Sequence, residues 1–293
     1  MTRWTPALTV VTPTFNAARF IEGCLDSVAG QDRPDVEHLI VDGGSTDGTV
    51  EIVQQRRTRD SRVQLISAPD NGQSHAMNKG VIAARAPLLG LLNVDDRYRS
   101  GTLAYAIAQL SETPEPSFLW GACEVRNHGP DAVGFLSDFA AMHDADGTPY
   151  WIQYPGTLSA WRLALGWRFE QHPANPSSYF YHRSLHFVAG LYEEENHYTM
   201  DFSFLLAAAP HIKHVITSRR VLGLFNLDIG SKTYDASTGA VTPRFESPVR
   251  ARVIRELPLW DRARFETVRA RRRLANVPIA SKLWNFGKFL IGR

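Results

Sequence analysis

Hydrophobic and polar positions in the first 125 residues alternate between two periods. Leu8-Thr9-Val10-Val11-Thr12 is a short β-branched run closed by Pro13, and Ala17 to Ala29 then carries Phe20, Ile21, Leu25 and Val28 at helical spacing. The same unit recurs. His38 to Val41 predicts a strand, and a helix is expected over residues 49–57. Val63 to Ile66 and a helix over 74–84 form a third unit, and Leu88 to Leu92 and a helix over 102–110 a fourth; Phe118 to Val125 reads as a fifth strand. Short continuous apolar strands alternating with helices predict an α/β fold, with a mostly parallel central sheet covered by helices on both faces. From Asn127 to Ser178 the pattern is irregular. Periodicity returns in a helix over 198–206 and a strand at His214 to Thr217, before a polar loop from Asn226 to Gly239 and a helical, Arg-rich end interrupted by Pro258 and Pro278.

At 293 residues with 44% hydrophobic and 21% charged residues, the chain can bury a sizeable core, which excludes a disordered tail or a minimal disulfide scaffold. The net charge of +2 is a sum of unlike parts. Residues 244–293 carry 13 Lys and Arg against 4 Asp and Glu, leaving residues 1–243 at −7. Cys24 and Cys123 are far apart without ligand spacing and are expected to be buried, reduced thiols. Neither a signal peptide nor a run of about 20 apolar residues is seen, so a cytoplasmic body is expected.

In open α/β sheets ligands bind beyond the carboxyl ends of the strands. Here those segments are Thr14-Phe15-Asn16, Asp42-Gly43-Gly44-Ser45, residues 68–72 around Asp70, and Asn93-Val94-Asp95-Asp96. Gly43 to Gly48 has P-loop-like glycine spacing, but Thr49-Val50 stands where Lys-Ser/Thr is required, and no GxGxxG follows the first strand. A P-loop NTPase and a dinucleotide-binding dehydrogenase are both disfavoured. What remains is an acid-lined crevice. Holding a diphosphate with carboxylates requires a divalent cation between them, such as Mg²⁺ or Mn²⁺. Asp95-Asp96 is the natural place for it; a turn capping the next helix explains the pair equally well.

Four blocks in order, Val10 to Asn16, Leu39 to Thr49, Asp70 to Gly80 and Leu92 to Asp96, resemble the family 2 glycosyltransferases of the GT-A fold, and Tyr198 to Phe202 extends the resemblance weakly. The resemblance implies an inverting, metal-dependent transfer of a sugar from a nucleotide-diphosphate donor (UDP, GDP or dTDP) to a hydroxyl of a glycan or lipid-linked acceptor, as in surface polysaccharide biosynthesis. The alternative is a catalytically silent sugar-nucleotide binder in a membrane-associated assembly. In that family the carboxylate at Asp42 accepts from the nucleobase, while Thr12, Pro13, Thr14, Asn16, Gly44 and Ser45 form the nucleotide turn. Asp70, Lys79, Asn93, Val94 and Asp95 complete the nucleotide site, with Lys79 open to a structural reading as the partner of an acid. Asp95 and Asp96 correspond to the DXD-type pair, with Asp96 favoured for the metal. Asp201 corresponds to the general base, or else is an N-cap. Where relatives often carry Arg and His this chain has Asn226 and Asp228; Asp228 is a further candidate metal ligand or a plain loop residue. On this reading Asp96→Ala and Asp201→Asn each abolish transfer with the fold intact.

These expectations divide the chain into a GT-A domain over 1–243, with a nucleotide half at 1–125 and an acceptor half at 126–243, and a basic amphipathic helical extension at 244–293. The extension fits peripheral attachment to an anionic membrane surface, or equally a helix packed on the domain with solvated Arg residues. Nucleic acid is disfavoured, because the acidic body offers no continuous basic face.

Overall fold

The computed structural model describes residues 4–128, 142–166, 172–173, 175–227 and 248–275. The chain up to Asn127 follows the expected alternation, with one short strand added: β1 (Leu8–Thr14), α1 (Ala18–Ala29), β2 (Val36–Asp42), α2 (Thr49–Arg59), β3 (Val63–Ser67), α3 (Gln73–Ala83), β4 (Leu88–Leu91), β5 (Arg97–Tyr98), α4 (Thr102–Ser111) and β6 (Ser117–Asn127). Then come β7 (Met142–His143), β8 (Pro149–Gln153), α5 (Ala160–Ala164), β9 (Tyr179–His182), α6 (Leu185–Ala189), α7 (Met200–Ala208), β10 (His214–Leu227), α8 (Pro248–Glu256) and α9 (Leu259–Ala275).

One sheet runs in the order β3-β2-β1-β4-β9-β6-β10-β5, with β8 on β6 and β7 on β8. β3, β2, β1 and β4 are parallel, and β6 and β10 are parallel. Between these blocks β9 lies antiparallel to both β4 and β6, so the sheet is mixed rather than uniformly parallel. The strand that joins the two blocks is one of those the hydrophobic pattern did not reveal, with β5, β7 and β8.

β1, β2, β4 and β6 are buried on both faces, which is why they read as nearly continuous apolar runs. Val11, Leu89, Leu91, Phe118, Trp120, Tyr179 and Tyr181 face a core built with α3 and α7. Their neighbours Val10, Leu88, Leu92, Leu119 and Phe180 face a second core with α1 and α4. The expected burial of both cysteines as free thiols is found, and burial pushes each pKa up to about 12.

Two details position the strand ends. The residue preceding α1, Ala17, has no side chain that can cap it; instead Thr49 Oγ1 accepts from Ala17 N at 2.8 Å and Asp47 Oδ2 from Ala18 N at 2.9 Å. The turn after β2 thereby supplies the acceptors that the first turn of α1 lacks. Further along, α3 lies close on β1 at Gly80, where a Cβ would come within 2.2 Å of Val11 Cγ1.

The described part of the basic end is helical and breaks at Pro258, as expected. Val253, Leu257 and Phe265 join the core formed by α5 and α7, so α8 and α9 pack on the body. The boundary expected at 243/244 lies outside the described residues. Among those described, no helix is long and apolar enough to cross a membrane.

The approach at Gly80 yields a stability prediction. Gly80→Ala overpacks the α3–β1 contact and lowers stability by about 1–3 kcal/mol, read as a lower urea midpoint with an unchanged m-value.

Candidate active site

A cavity of about 550 Å³ opens beyond the carboxyl ends of β1 to β4, within the usual range for small-molecule sites. Pro13 and Thr14 (β1), Asp70 (before α3) and Asn93, Val94 and Asp95 (after β4) line it, and Asp201 at the start of α7 closes it. These elements come from both halves of the chain.

Thr14 is 5% exposed, and its Oγ1 is buried without a hydrogen-bond partner. A buried hydroxyl left unpaired costs about 1–3 kcal/mol, so its position on the cavity wall marks a place for a ligand atom. Phe15 beside it is 62% exposed and also lines the cavity. Asn16, which follows at a left-handed φ of 47°, is turned away from the cavity: its Oδ1 accepts from Thr46 N at 3.0 Å and its N donates to Ser45 Oγ at 2.8 Å. Thr12 is wholly interior, with Oγ1 3.0 Å from His38 Nε2.

Asp42, expected at the nucleobase, is buried and turned into its own loop. Its carboxylate accepts from Gly44 N at 3.0 Å, Ser45 N at 3.1 Å, Ser67 Oγ at 2.9 Å and the Ser45 hydroxyl. Together with Gly44 and Ser45 it therefore builds the turn and does not line the cavity. Gly43 does line it, and a Cβ there would come within 2.7 Å of Asp70 Oδ2, so the missing side chain leaves room for the Asp70 carboxylate. Asp70 is held by Gly72 N donating to its Oδ1 at 2.9 Å. Lys79 takes the structural alternative in a different form: its Nζ donates to the carbonyls of Ala68 and Pro69 at 3.2 and 2.9 Å, bracing the loop that carries Asp70.

The adjacent acids divide sharply. Asp96 is 0% exposed and accepts from Asn175 Nδ2 at 2.8 Å, Asn93 Nδ2 at 3.1 Å and Asn226 N at 3.0 Å. Burial, and then the nearby charge of Asp95, raise its pKa well above the usual carboxylate range, while the three donors pull it back. Asp95 is half-buried and faces the cavity, its carbonyl accepting from Asn226 Nδ2 at 2.6 Å. Asp96, favoured from the sequence for the metal, is enclosed by protein donors, and Asp95 is the acid of the pair that lines the cavity. Asp228 lies outside the described residues.

Asp201 is not an exposed helical acid. Every other residue of α7 is buried, and a helix apolar all round belongs inside a protein. Its one carboxylate opens on the cavity. Phe202 N donates to Oδ1 at 2.8 Å, a bond that lowers the pKa, yet burial dominates and raises it to about 6.

The lining residues not singled out in the sequence include Asn175, which joins Asp96 to the chain entering β9, and His197, which lies on the loop before α7. They fall in or beyond the irregular region, where no periodicity places them.

A hard divalent cation fits the donor chemistry of this wall. Among the described residues no group of three His, Cys, Asp or Glu gathers. The wall instead offers Asp95 with Asn93 and Asp70 also on it, which suits Mg²⁺ or Mn²⁺ when phosphate oxygens and water complete the shell.

The contrast between the adjacent acids is directly measurable. Asp96→Ala orphans three amide donors and is expected to cost about 3 kcal/mol in chemical unfolding, whereas Asp95→Ala stays within about 0.5 kcal/mol of the parent. An intact fold in Asp96→Ala, as the sequence alone suggested, would contradict the enclosed geometry.

The chain is similar to named proteins in two ways. In sequence it is 38% identical over 104 residues to the putative teichuronic acid biosynthesis glycosyltransferase TuaG of Bacillus subtilis, covering 35% of this chain and 41% of that protein. It is 35% identical over 124 residues to a PGL/p-HBAD biosynthesis glycosyltransferase of Mycobacterium tuberculosis, covering 42% and 48%. It therefore spans less than half the length of these relatives. In structure it matches S. aureus TarS 1-349 in complex with UDP-GlcNAc, with a TM-score of 0.56 at 19% identity over 78% of this chain and 61% of that one. It also matches the mannosyltransferase PcManGT of Pyrobaculum calidifontis in complex with GDP-Man and Mn²⁺, with a TM-score of 0.56 at 18% identity over 99% and 81%. These likenesses bear out the expected GT-A fold. The profile of Glycosyl transferase family 2 matches residues 9–158, half of the chain, and the chain belongs to that family.

Proposed function

We propose that the protein is an inverting glycosyltransferase that moves a sugar from a nucleotide-diphosphate donor to a hydroxyl of a glycan or lipid-linked acceptor. The observation that carries this reading is the cavity that places Thr14, Asp70 and Asp95 on its strand-end wall and Asp201, with its pKa near 6, on α7. The names of TuaG, TarS and PcManGT support it: a relative named for teichuronic acid biosynthesis, and structural neighbours bound to UDP-GlcNAc and to GDP-Man with Mn²⁺.

In this account the unpaired Thr14 hydroxyl bonds the nucleoside and the exposed Phe15 ring offers its face to the base. Asp70 takes the polar contact near Gly43 that Asp42, enclosed in its turn, leaves unmade. Asp95 is the ligand for a divalent cation, Mn²⁺ or Mg²⁺; that cation would offset the charge developing on the leaving diphosphate. Asp201 accepts the proton of the acceptor hydroxyl as its oxygen attacks the anomeric carbon from the face opposite the diphosphate. The bond to the diphosphate breaks with its electron pair, and the configuration inverts. The transfer domain is residues 1–243, with 126–243 forming the acceptor half. The basic end is the part that meets an anionic membrane surface.

A raised pKa has consequences of definite sign. Between the ordinary Asp value and about 6 the folded state binds the extra proton, so stability falls as pH rises through that interval. The deprotonated form does the chemistry, so kcat/KM should rise about tenfold per pH unit below 6 and level off above it. Asp201→Asn should lower kcat by about 10²–10⁴, abolish that acid limb and raise the melting temperature at pH 8. Near-parental kcat in this variant would remove Asp201 from the reaction.

Binding is tested separately. Thr14→Val should weaken a nucleoside diphosphate by about fivefold to tenfold in calorimetry with Mn²⁺, the loss expected for about one hydrogen bond, while raising the melting temperature of the ligand-free protein by removing a buried unpaired hydroxyl.

A further inference from the structure

The corner between α8 and α9 turns apolar side chains outward where the chain is most basic. Leu259 and Trp260 are 81% and 83% exposed, the two highest values among the large hydrophobic residues described. The corner is nevertheless well anchored. Leu257 and Phe265 on either side are buried in the core, Arg262 N donates to Pro258 O at 2.8 Å, and the Arg262 guanidinium donates to the carbonyl of Arg255. Leu259 and Trp260 therefore project from a fixed support rather than from a fraying end.

The outward face of α9 continues from this tip. Trp260, Arg264, Thr267 and Arg271 recur at helical spacing and all are exposed; the stripe itself holds two cations, and the one acid paired with it is Asp261, 3.4 Å from Arg264 on its flank. On α8, Arg252 and Arg255 are exposed as well. Across residues 248–275 there are nine Arg against three acids.

Charge decides which partner suits this surface. A second copy of the chain meeting it through the same face, as in a two-fold dimer, would bring like charge to it. Residues 276–293 carry Lys282, Lys288 and Arg293 with no acid, so folding that segment back would also gather like charges. An anionic lipid surface instead complements the arginines, and its interfacial region accommodates Trp and Leu side chains.

We propose that Leu259 and Trp260 form a wedge that inserts into the interfacial region of an anionic bilayer, with Arg252, Arg255, Arg264 and Arg271 against the lipid headgroups. This rests on the reading of the basic end as a membrane-facing surface, and it adds the residues and the mode of insertion. No step of sugar transfer is involved.

The test is co-sedimentation of the full chain with phosphatidylcholine vesicles containing or lacking 30% phosphatidylglycerol, about a third of the lipid being charged as in an anionic leaflet. The parent should bind only the anionic vesicles, and less as salt rises. The double variant Leu259→Asp/Trp260→Asp, at exposed positions, should keep the parental melting temperature and bind at least tenfold less. Arg264→Glu/Arg271→Glu should bind less and lose much of the salt dependence. Failure of the parent to bind anionic vesicles overturns both the membrane-facing reading and the wedge. Binding by the parent with equal binding by the Leu259/Trp260 variant overturns the wedge alone. A parental dimer that this variant dissociates in sedimentation equilibrium assigns the corner to a second copy and also overturns the proposal.

Discussion

A carboxylate taken wholly out of water costs several kcal/mol unless protein donors replace its hydration. Asp96 is such a group, and the replacement comes from three parts of the chain: Asn93 beyond β4, Asn175 ahead of β9, and the backbone of Asn226 late in β10. None of these can move far without leaving a buried polar group unpaired. Asn226 extends the constraint to the neighbouring acid, since its side chain holds the carbonyl of Asp95. The cavity-facing acid is thus aligned by the enclosed one, and the segment after β4 is tied to β9 and β10 at the place where both parts of the chain contribute to the cavity.

The same division of labour recurs around the site. Asp42, Ser45, Asn16, Asp47 and Lys79 spend their hydrogen bonds on turns and loops, and what those turns expose is Thr14, Phe15 and Asp70. Residue types suited to ligand chemistry serve here as scaffold, while the Thr14 and Phe15 side chains and the braced Asp70 carboxylate line the cavity. Across the cavity, α7 departs from apolar uniformity at Ser203, whose hydroxyl accepts from Asn196, and at Asp201, whose burial pushes its pKa up to about 6.

In the parallel block β3-β2-β1-β4, β2, β1 and β4 were legible as short, mainly apolar runs buried on both faces, and the partly buried β3 as a short run between two helices. β9 was not. Tyr179-Phe180-Tyr181-His182 is fully buried, but it carries hydroxyl and imidazole groups and follows Pro- and Ser-rich sequence, so neither alternation nor an aliphatic run announces it. β10 was read as four residues because irregular pairing between Ser218 and Gly223, around Arg219 and Arg220, interrupts its pattern. The positions of the chemical blocks were readable from strand ends alone. The facing of side chains within them was not: which of two adjacent acids turns inward depends on Asn175 and Asn226, residues 79 and 130 positions away from Asp96.

The central claim is that one displacement takes place in this cavity, with Asp201 as the base and the diphosphate leaving from the opposite face. Proton NMR of the first-formed anomer, during transfer or slow hydrolysis of an α-configured nucleotide sugar, tests it most directly. The account predicts a product of β configuration from the first turnover. An α-configured product would mean two displacements or a different face of attack, and would contradict the assignment of Asp201.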